Sequence, residues 1–236
     1  MLLVTGCDSR PAPSAVSPAR PRVKPQDVHG AGVVRGHVKL DGPAPEMKVI
    51  PNQPCHDAAE PIRDETVVIG AGGGLKNAFV YVTSQDVQPV DGATLDPAVL
   101  DQKSCQYVPH VVGVCVNQAL RVRSSDPTVH NVHYAPQGNP SGNLTMNGPD
   151  EKTVTFTSPE FVRMKCDVHP WMTAYVGVFD TPFFAVTGDD GGYEIKGLPP
   201  GQYELLVWHE RYGQLQQSVT VSETASKVEL SYRAPQ

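Results

Sequence analysis

The segment Cys166-Asp-Val-His-Pro-Trp-Met172 carries the most structural information in this sequence of 236 residues. It places a thiol, an imidazole and a thioether at positions i, i+3 and i+6. The alternating segments 161–165 and 174–179 flank it, which predicts a short loop between two β-strands. Three donor groups on one short loop can converge on a single metal ion.

A second imidazole is available from His130, which lies earlier in the chain. A soft thiolate with two imidazoles and a weak, long thioether contact is the ligand set of electron-transfer copper. The sequence therefore predicts one mononuclear copper site, with His130, Cys166, His169 and Met172 as its ligands.

The rest of the chain is typical of β-structure. Glycine (21) and proline (23) are abundant and charged residues make up only 19%, which suits short strands joined by turns. Apolar and polar residues alternate at residues 33–40, 78–83 and 152–157, and residues 110–116 and 119–123 are predicted to form two further strands. Since no segment has the periodicity of an amphipathic helix, we expect an all-β protein.

Composition also excludes some partners and cofactors. The formal net charge is −6 and no long basic run occurs, whereas binding to a phosphate backbone relies on clustered lysine and arginine. We therefore expect no nucleic-acid partner. The chain has no Cys-x-x-Cys-His motif, which excludes covalently attached c-type haem.

The first residues, Met1-Leu-Leu-Val-Thr-Gly-Cys7, resemble the end of a bacterial lipoprotein signal. The apolar run is short and no basic region precedes it, so either translation starts further upstream or Cys7 is incidental. If Cys7 is lipidated, the protein is periplasmic or attached to the cell envelope by its lipid. Residues 9–30, rich in proline, alanine and serine, are then expected to form a disordered tether.

The other cysteines divide by position. Cys55 and Cys105 are predicted to form a disulfide in an oxidising compartment, the alternative being two separate free thiols. Cys115 lies in an apolar segment and is expected to be a buried thiol. Cys166 is predicted to be a metal ligand.

The end of the chain resembles a carboxypeptidase regulatory-like, transthyretin-like β-sandwich. The resemblance rests on the turn Gly188-Asp-Asp-Gly-Gly192, a short aromatic strand, and Gly197-Leu-Pro-Pro-Gly201. Residues 33–45 resemble the first half of such a module, so the two ends of the chain either form one sandwich or stay separate. The expected organisation is a signal remnant and tether at 1–30, a β segment at 31–76, a metal domain at 77–180 and a small sandwich at 181–236.

The metal domain resembles a cupredoxin of the plastocyanin type. The resemblance is carried by Tyr107-Val-Pro109, Asn117-Gln118, Val122, His130-Asn-Val132 and the Cys-x-x-His-x-x-Met spacing from Cys166. It implies a Greek-key sandwich or barrel of about eight strands, one type 1 copper, and the transfer of single electrons to and from a redox protein. It also implies that His169 lies nearest the surface.

Neighbouring residues receive supporting roles. His133 competes with His130, but residues three apart on a strand point to opposite faces, and His130 is followed by Asn131 and Val132 as in cupredoxins. His133 is then either a surface residue or a support for the site. Asn131 is expected to join the two ligand segments by hydrogen bonds. Pro170 would stiffen the loop and Trp171 would cover it, although both could be simple packing residues.

Three other classes of protein remain open. A structural zinc site could use the same cysteine and histidines, although such sites generally avoid methionine. A thiol enzyme would need Cys166 to face a cleft. A carbohydrate-binding or structural module with a secondary metal site is the third. We expect no enzymatic activity, because the predicted ligand set leaves no open coordination position. His209 and Glu210 could suggest a second metal site or an acid–base pair, but no third partner is apparent in the sequence.

Overall fold

A computed structural model describes residues 20–51, 55, 61–83 and 85–234. These residues form β-strands and three short 3₁₀ helices, with no α-helix in the described part of the chain. This confirms the all-β class. Cys7 and the first part of the expected tether lie outside the described residues. None of the helices within the described ranges is long and apolar enough to cross a membrane.

The elements have the following bounds. The strands are β1 Gly32–Asp41, β2 Phe79–Tyr81, β3 Ala98–Lys103, β4 Gln106–Val108, β5 Val111–Cys115, β6 Ala119–Ser124, β7 Val129–Tyr134, β8 Gly142–Asn147, β9 Asp150–Thr155, β10 Glu160–Lys165, β11 Thr173–Phe179, β12 Phe184–Val186, β13 Gly192–Leu198, β14 Gly201–His209, β15 Gly213–Val221, β16 Ser226–Lys227 and β17 Leu230–Arg233. The 3₁₀ helices are Pro25–Val28, Ala71–Gly73 and Gly92–Thr94.

Strands β3 to β11 form a unit that we call the central sandwich. One sheet has the order β5-β11-β10-β7-β8 and the other β4-β3-β6-β9. This order brings β7 next to β10, although β8 and β9 separate them in sequence, and Lys165 pairs with His133. The resemblance to cupredoxins implied about eight strands, and the described part has nine here. The short β4 pairs with β3 as an additional hairpin strand at the edge of its sheet.

The remaining strands form a second unit, the terminal sandwich. One sheet has the order β12-β2-β14-β15, and in the other β1 pairs with β13, β16 and β17. The two ends of the chain therefore form one sandwich, which the sequence left open. Strand β2 lies inside the segment 77–180 expected for the metal domain, yet it pairs with β12 and β14. Alternation along a strand shows that it has two faces but does not indicate which sheet it joins.

Each sandwich has its own apolar core. The core of the central sandwich includes Leu100, Leu120, Val132 and Met164, and the side chains of Cys166 and Met172 belong to it. The core of the terminal sandwich includes Val34, Val80, Ile195, Leu205 and Val207. Burying one side chain of this size contributes about 1.5–3 kcal/mol relative to leaving it exposed. The loop of residues 166–172, which carries three of the predicted ligands, is thus anchored in a packed core.

Aromatic side chains connect the two sandwiches. Phe79 of β2 stacks on Phe161 of β10, with ring centroids 5.6 Å apart, and Phe161 stacks on Trp208 of β14 at 4.4 Å. Phe179 of β11 meets Phe79 at 5.4 Å. Strands β10 and β11, which flank the loop of residues 166–172, therefore pack against the terminal sandwich on their other face.

Residues 20–30 differ from the expected disordered tether. The backbone N–H of Val23 donates to the Pro89 carbonyl at 3.0 Å, and that of Asp91 donates to the Val23 carbonyl at 2.7 Å. The Arg22 guanidinium donates to the Val90 carbonyl at 3.1 Å. These contacts use backbone groups and a charged side chain, so they leave no periodic apolar pattern in the sequence.

Candidate metal centre

The loop after Cys166 is a compact turn between β10 and β11. The backbone N–H of Cys166 donates to the Met172 carbonyl at 3.1 Å, and that of Met172 donates to the His169 carbonyl at 2.9 Å. The N–H of His169 points at Cys166 Sγ at 3.4 Å. Pro170 is exposed at the tip. These bonds hold the thiol, the imidazole and the thioether on one turn with little freedom.

His130 reaches the same place from β7. Its side chain is 0% exposed, whereas the side chain of His133, three residues on, is 34% exposed and bonds to Asp167. The two histidines therefore point to opposite faces of the strand, as expected from its geometry. The structure brings His130, and not His133, to Cys166.

Three donor atoms converge. His130 Nδ1 lies 3.0 Å from His169 Nδ1 and 4.0 Å from Cys166 Sγ, and His169 Nδ1 lies 3.9 Å from Cys166 Sγ. A metal bound at about 2.0 Å from nitrogen and about 2.3 Å from sulfur would separate the nitrogens by about 3.3–3.6 Å and each nitrogen from the sulfur by about 3.5–3.8 Å. The observed distances agree within about half an ångström, so these residues fit one ion.

The fourth predicted ligand, Met172, is buried in the same core as Cys166. Its position on the loop agrees with the spacing argument. Its role as an axial ligand remains a prediction. Trp171 packs edge-on against His169, with ring centroids 5.1 Å apart, and its indole N–H donates to the Cys105 carbonyl at 2.9 Å. Trp171 thus covers one side of His169.

The local electrostatics favour the metal-binding protonation state at Cys166 and His169, whereas at His130 they favour the protonated ring, from which a metal would displace a proton. Burial alone would raise the pKa of the Cys166 thiol, but hydrogen bonds from His130 and from backbone N–H groups lower it overall. Burial alone would lower the pKa of His130, yet its hydrogen bonds to Cys166 and Asp126 raise it. For His169, burial and the neighbouring His130 lower the pKa. A thiolate and a neutral His169 imidazole are the forms that coordinate metals.

Asn131 joins the two ligand segments, as its predicted role requires. Its Oδ1 accepts from the backbone N–H of Asp167 at 2.7 Å and lies 3.3 Å from Cys166 Sγ. Its amide donates to the Asp167 carboxylate at 2.9 Å. Hydrogen bonds from Asn131, Lys165 and His133 lower the pKa of Asp167 to about 2. His133 therefore supports the outer edge of the site through Asp167.

The predicted disulfide between Cys55 and Cys105 is confirmed, with a Cα–Cα distance of 5.7 Å. It lies beside the site, because Cys55 Sγ is 3.8 Å from His169 Nε2. Cys115 is a buried free thiol, as expected, and burial raises its pKa to about 12. His169 is only partly buried.

Sequence reasoning missed Asp126 altogether, and it considered Glu210 only together with His209. The Asp126 carboxylate accepts from His130 Nε2 at 2.9 Å. Glu210 pairs with His110 next to a cavity of about 290 Å³, which Trp171 and Met172 also line. Asp126, in the segment Ser124-Ser-Asp-Pro127, lies four residues before His130, and this spacing was a sequence signal for a contact between them. The Glu210–His110 contact joins the two sandwiches and has no local signal.

Comparison with known proteins gives matches at the level of structure only. Neither the known protein families nor the curated proteins contain a match. The M98A mutant of amicyanin, Cu(I), is 21% identical with a TM-score of 0.32, over 42% of this chain and 97% of amicyanin. A purple cupredoxin from Nitrosopumilus maritimus is 18% identical with a TM-score of 0.30, over 34% of this chain and 98% of that chain.

A Cu-containing nitrite reductase from Thermus scotoductus SA-01 is 20% identical with a TM-score of 0.34. The match covers 40% of this chain but only 26% of the reductase chain, so it spans about a quarter of that protein. At these TM-scores the likenesses carry no weight of their own, and the geometry of the site has to decide what this chain does.

Proposed function

We propose that the protein is a type 1 copper electron carrier. His130, Cys166 and His169 would bind the metal through two Nδ1 atoms and one Sγ, with Met172 as the weak axial ligand. The observation that carries the proposal is the convergence of these three donor atoms, which lie within 4.0 Å of one another.

A bound copper supplies a one-electron couple, and the chain supplies the geometry. His130 is held by strand β7 and the other ligands by a hydrogen-bonded turn between β10 and β11. Rigid placement limits the movement of the ligands between the two oxidation states. Burial of Cys166 and His130 keeps water from the donor atoms.

Two of the competing classes, a thiol enzyme and a zinc site, fit the structure less well. Cys166 is buried and does not line the cavity beside the loop, so a substrate has no route to its sulfur for thiol catalysis. A zinc site would not require Met172 on the loop. A carrier of electrons, with no open coordination position for a substrate, remains the function that the residues support best.

The proposed partner is another redox protein, which would approach over His169. Val168 beside it is 52% exposed, and Pro170 is also exposed. Exposed apolar groups around a partly buried ligand allow close contact without costly desolvation of charges. An exported location, with a lipid on Cys7, belongs to the same proposal.

The test is copper loading of the full chain. Cu(II) should give an intense visible charge-transfer band and a narrow copper hyperfine splitting in the EPR spectrum. Cys166→Ser should abolish the band, and Cys115→Ser, the matched change at the other buried thiol, should leave it intact. A colourless protein, or one that selects zinc from an equimolar mixture, would contradict the proposal.

A further inference from the structure

The Asp126 carboxylate is buried directly behind the candidate metal centre. Asp126 is 5% exposed and lies between β6 and β7. Its Oδ2 accepts from His130 Nε2 at 2.9 Å and from the backbone N–H of Cys105 at 2.8 Å. Its Oδ1 accepts from the backbone N–H of Ser104 at 2.6 Å. Three nitrogen atoms therefore lie within hydrogen-bond distance of one buried carboxylate.

Among the described residues, the Asp126 carboxylate has a histidine, His130, as its basic partner and no lysine or arginine. By contrast, the similarly buried Asp101 pairs with the guanidinium of Arg123 at 2.6 Å. The negative charge of Asp126 therefore acts on the His130 ring in a site screened from water, where electrostatic interactions are strong.

The contact fixes which nitrogen of His130 faces the metal. A neutral imidazole has one N–H, and the carboxylate at Nε2 can only accept. When the ring is neutral, the proton therefore stays on Nε2, and Nδ1 presents its lone pair towards Cys166 and His169. Pairs of a carboxylate and a metal-binding histidine act in this way in other metal sites.

The turn at Ser104 and Cys105 holds the Asp126 carboxylate through two backbone N–H groups. Ser104 and Cys105 both have left-handed backbone conformations, with φ of 54° and 58°, which non-glycine residues rarely adopt. The conformation aims both backbone N–H groups at one carboxylate. The disulfide of Cys105 with Cys55 and the bond from Trp171 to the Cys105 carbonyl fix the turn in place. Strain of this kind is found where the surrounding structure over-determines a functional geometry.

We propose that Asp126 is a positioning residue of the metal centre: it orients His130 with Nδ1 towards the metal, and its buried charge stabilises the oxidised centre, which lowers the reduction potential. The proposal deepens the electron-carrier function and rests on it. It adds no ligand and assigns the tuning of the site to one carboxylate outside the ligand set.

Two measurements test it. The first needs no copper: ¹⁵N NMR of the full chain, at a pH high enough to remove any imidazolium, reports the tautomer of His130. The expected result is a proton on Nε2 in the wild type. The second is redox titration of the copper-loaded variants Asp126→Asn and Asp126→Ser. An asparagine can turn its own N–H group towards the backbone N–H of Ser104, and a serine hydroxyl avoids this pairing of two donors.

Both variants should keep the charge-transfer band and shift the equilibrium towards the reduced centre by about tenfold or more, which corresponds to about 59 mV for one electron. Asp101→Asn, which removes an equally buried charge away from the ligands, is the control and should shift it far less. The two Asp126 variants guard against a folding failure in either one.

The outcomes separate this inference from the proposed function. A proton on Nδ1 in the wild type, or an unchanged potential in coloured Asp126 variants, would overturn the role of Asp126 and leave the electron carrier standing. A wild type that takes up no copper would remove the electron carrier and the effect on potential together, while the tautomer would still decide whether Asp126 orients His130.

Discussion

Two histidines, one in each sandwich, are completely buried, and their surroundings differ. His130 in the central sandwich has Asp126 at one ring nitrogen and Cys166 and His169 near the other. His209 in the terminal sandwich accepts from the N–H of Arg211 at Nδ1, and its Nε2 has no hydrogen-bond partner among the described residues. Both side chains are 0% exposed.

The difference appears in their protonation. Hydrogen bonds raise the pKa of His130 despite its burial, whereas burial, with a smaller effect of His110, lowers the pKa of His209 to about 4. Burial of a histidine alone therefore does not make a metal site. His130 has partners at both ring nitrogens in the candidate metal centre, whereas His209 has a partner at Nδ1 alone among the described residues.

The largest expected effect is that of His130→Asn on copper binding, compared with the same substitution at His209. His130→Asn removes a predicted ligand, so copper affinity should fall by on the order of 100-fold or more and the charge-transfer band should disappear. His209→Asn should leave both unchanged, because His209 belongs to none of the groups of three metal-binding side chains found among the described residues. Copper titration followed by visible absorption measures this. Equal losses in the two variants would break the comparison.

The covalent support of the central sandwich gives the next effect. The Cys55–Cys105 bond spans a sequence separation of 50, so the double variant Cys55→Ser/Cys105→Ser should lose about 4 kcal/mol of unfolding free energy by the loop-entropy estimate. The charge-transfer band should persist, since neither residue is a predicted ligand. Urea unfolding against Cys115→Ser, which alters a buried free thiol, measures the loss. An unchanged midpoint would contradict it.

The burial of His209 in the terminal sandwich should make the free energy of unfolding fall at acid pH. The unfolded chain protonates His209 as the pH falls below 6.5, but the folded protein does so only near 4. Because the folded pKa is the lower one, this contribution to stability is complete above about pH 6.5 and declines towards pH 4, by up to about 3 kcal/mol.

His209→Asn keeps an acceptor for Arg211 N–H and does not titrate. Urea unfolding at neutral pH and near pH 4 should show that the variant loses less free energy on acidification than the wild type. Equal losses would mean that His209 is not held neutral by its burial.

The smallest effect is expected at His133. Its side chain is partly exposed and meets only Asp167 at the edge of the site. His133→Gln should keep the charge-transfer band and change copper affinity by less than about threefold, because removing an exposed pair changes little. Loss of the band would show that His133, and not His130, binds the metal.

Local spacing explains why much of the site could be predicted. Cys166, His169 and Met172 lie on one turn, so their spacing alone brings them together, and strand geometry separates His130 from His133. The all-β class and the Cys55–Cys105 bond followed from composition and from cysteine count in the same way. The resemblance of residues 33–45 to the first half of a transthyretin-like sandwich, and of the end of the chain to its second half, raised without deciding the possibility that the two ends pair, as β1 and β13 do.

Long-range contacts explain what could not be predicted. Asp126 matters because a turn at Ser104 and Cys105, from another part of the chain, aims two N–H groups at it. Glu210 reaches His110 across a sequence separation of 100. Neither contact follows from periodicity or spacing, since both depend on how the sheets and the two sandwiches pack.

A crystal structure of the copper-loaded full chain, with anomalous diffraction collected at the copper edge, tests the central claim most directly. The account predicts a single strong anomalous peak between His130 Nδ1, His169 Nδ1 and Cys166 Sγ. A peak at the neighbouring group of Cys55, Cys105 and His169, or at that of Cys105, Asp126 and His130, or no ordered copper at all, would contradict it.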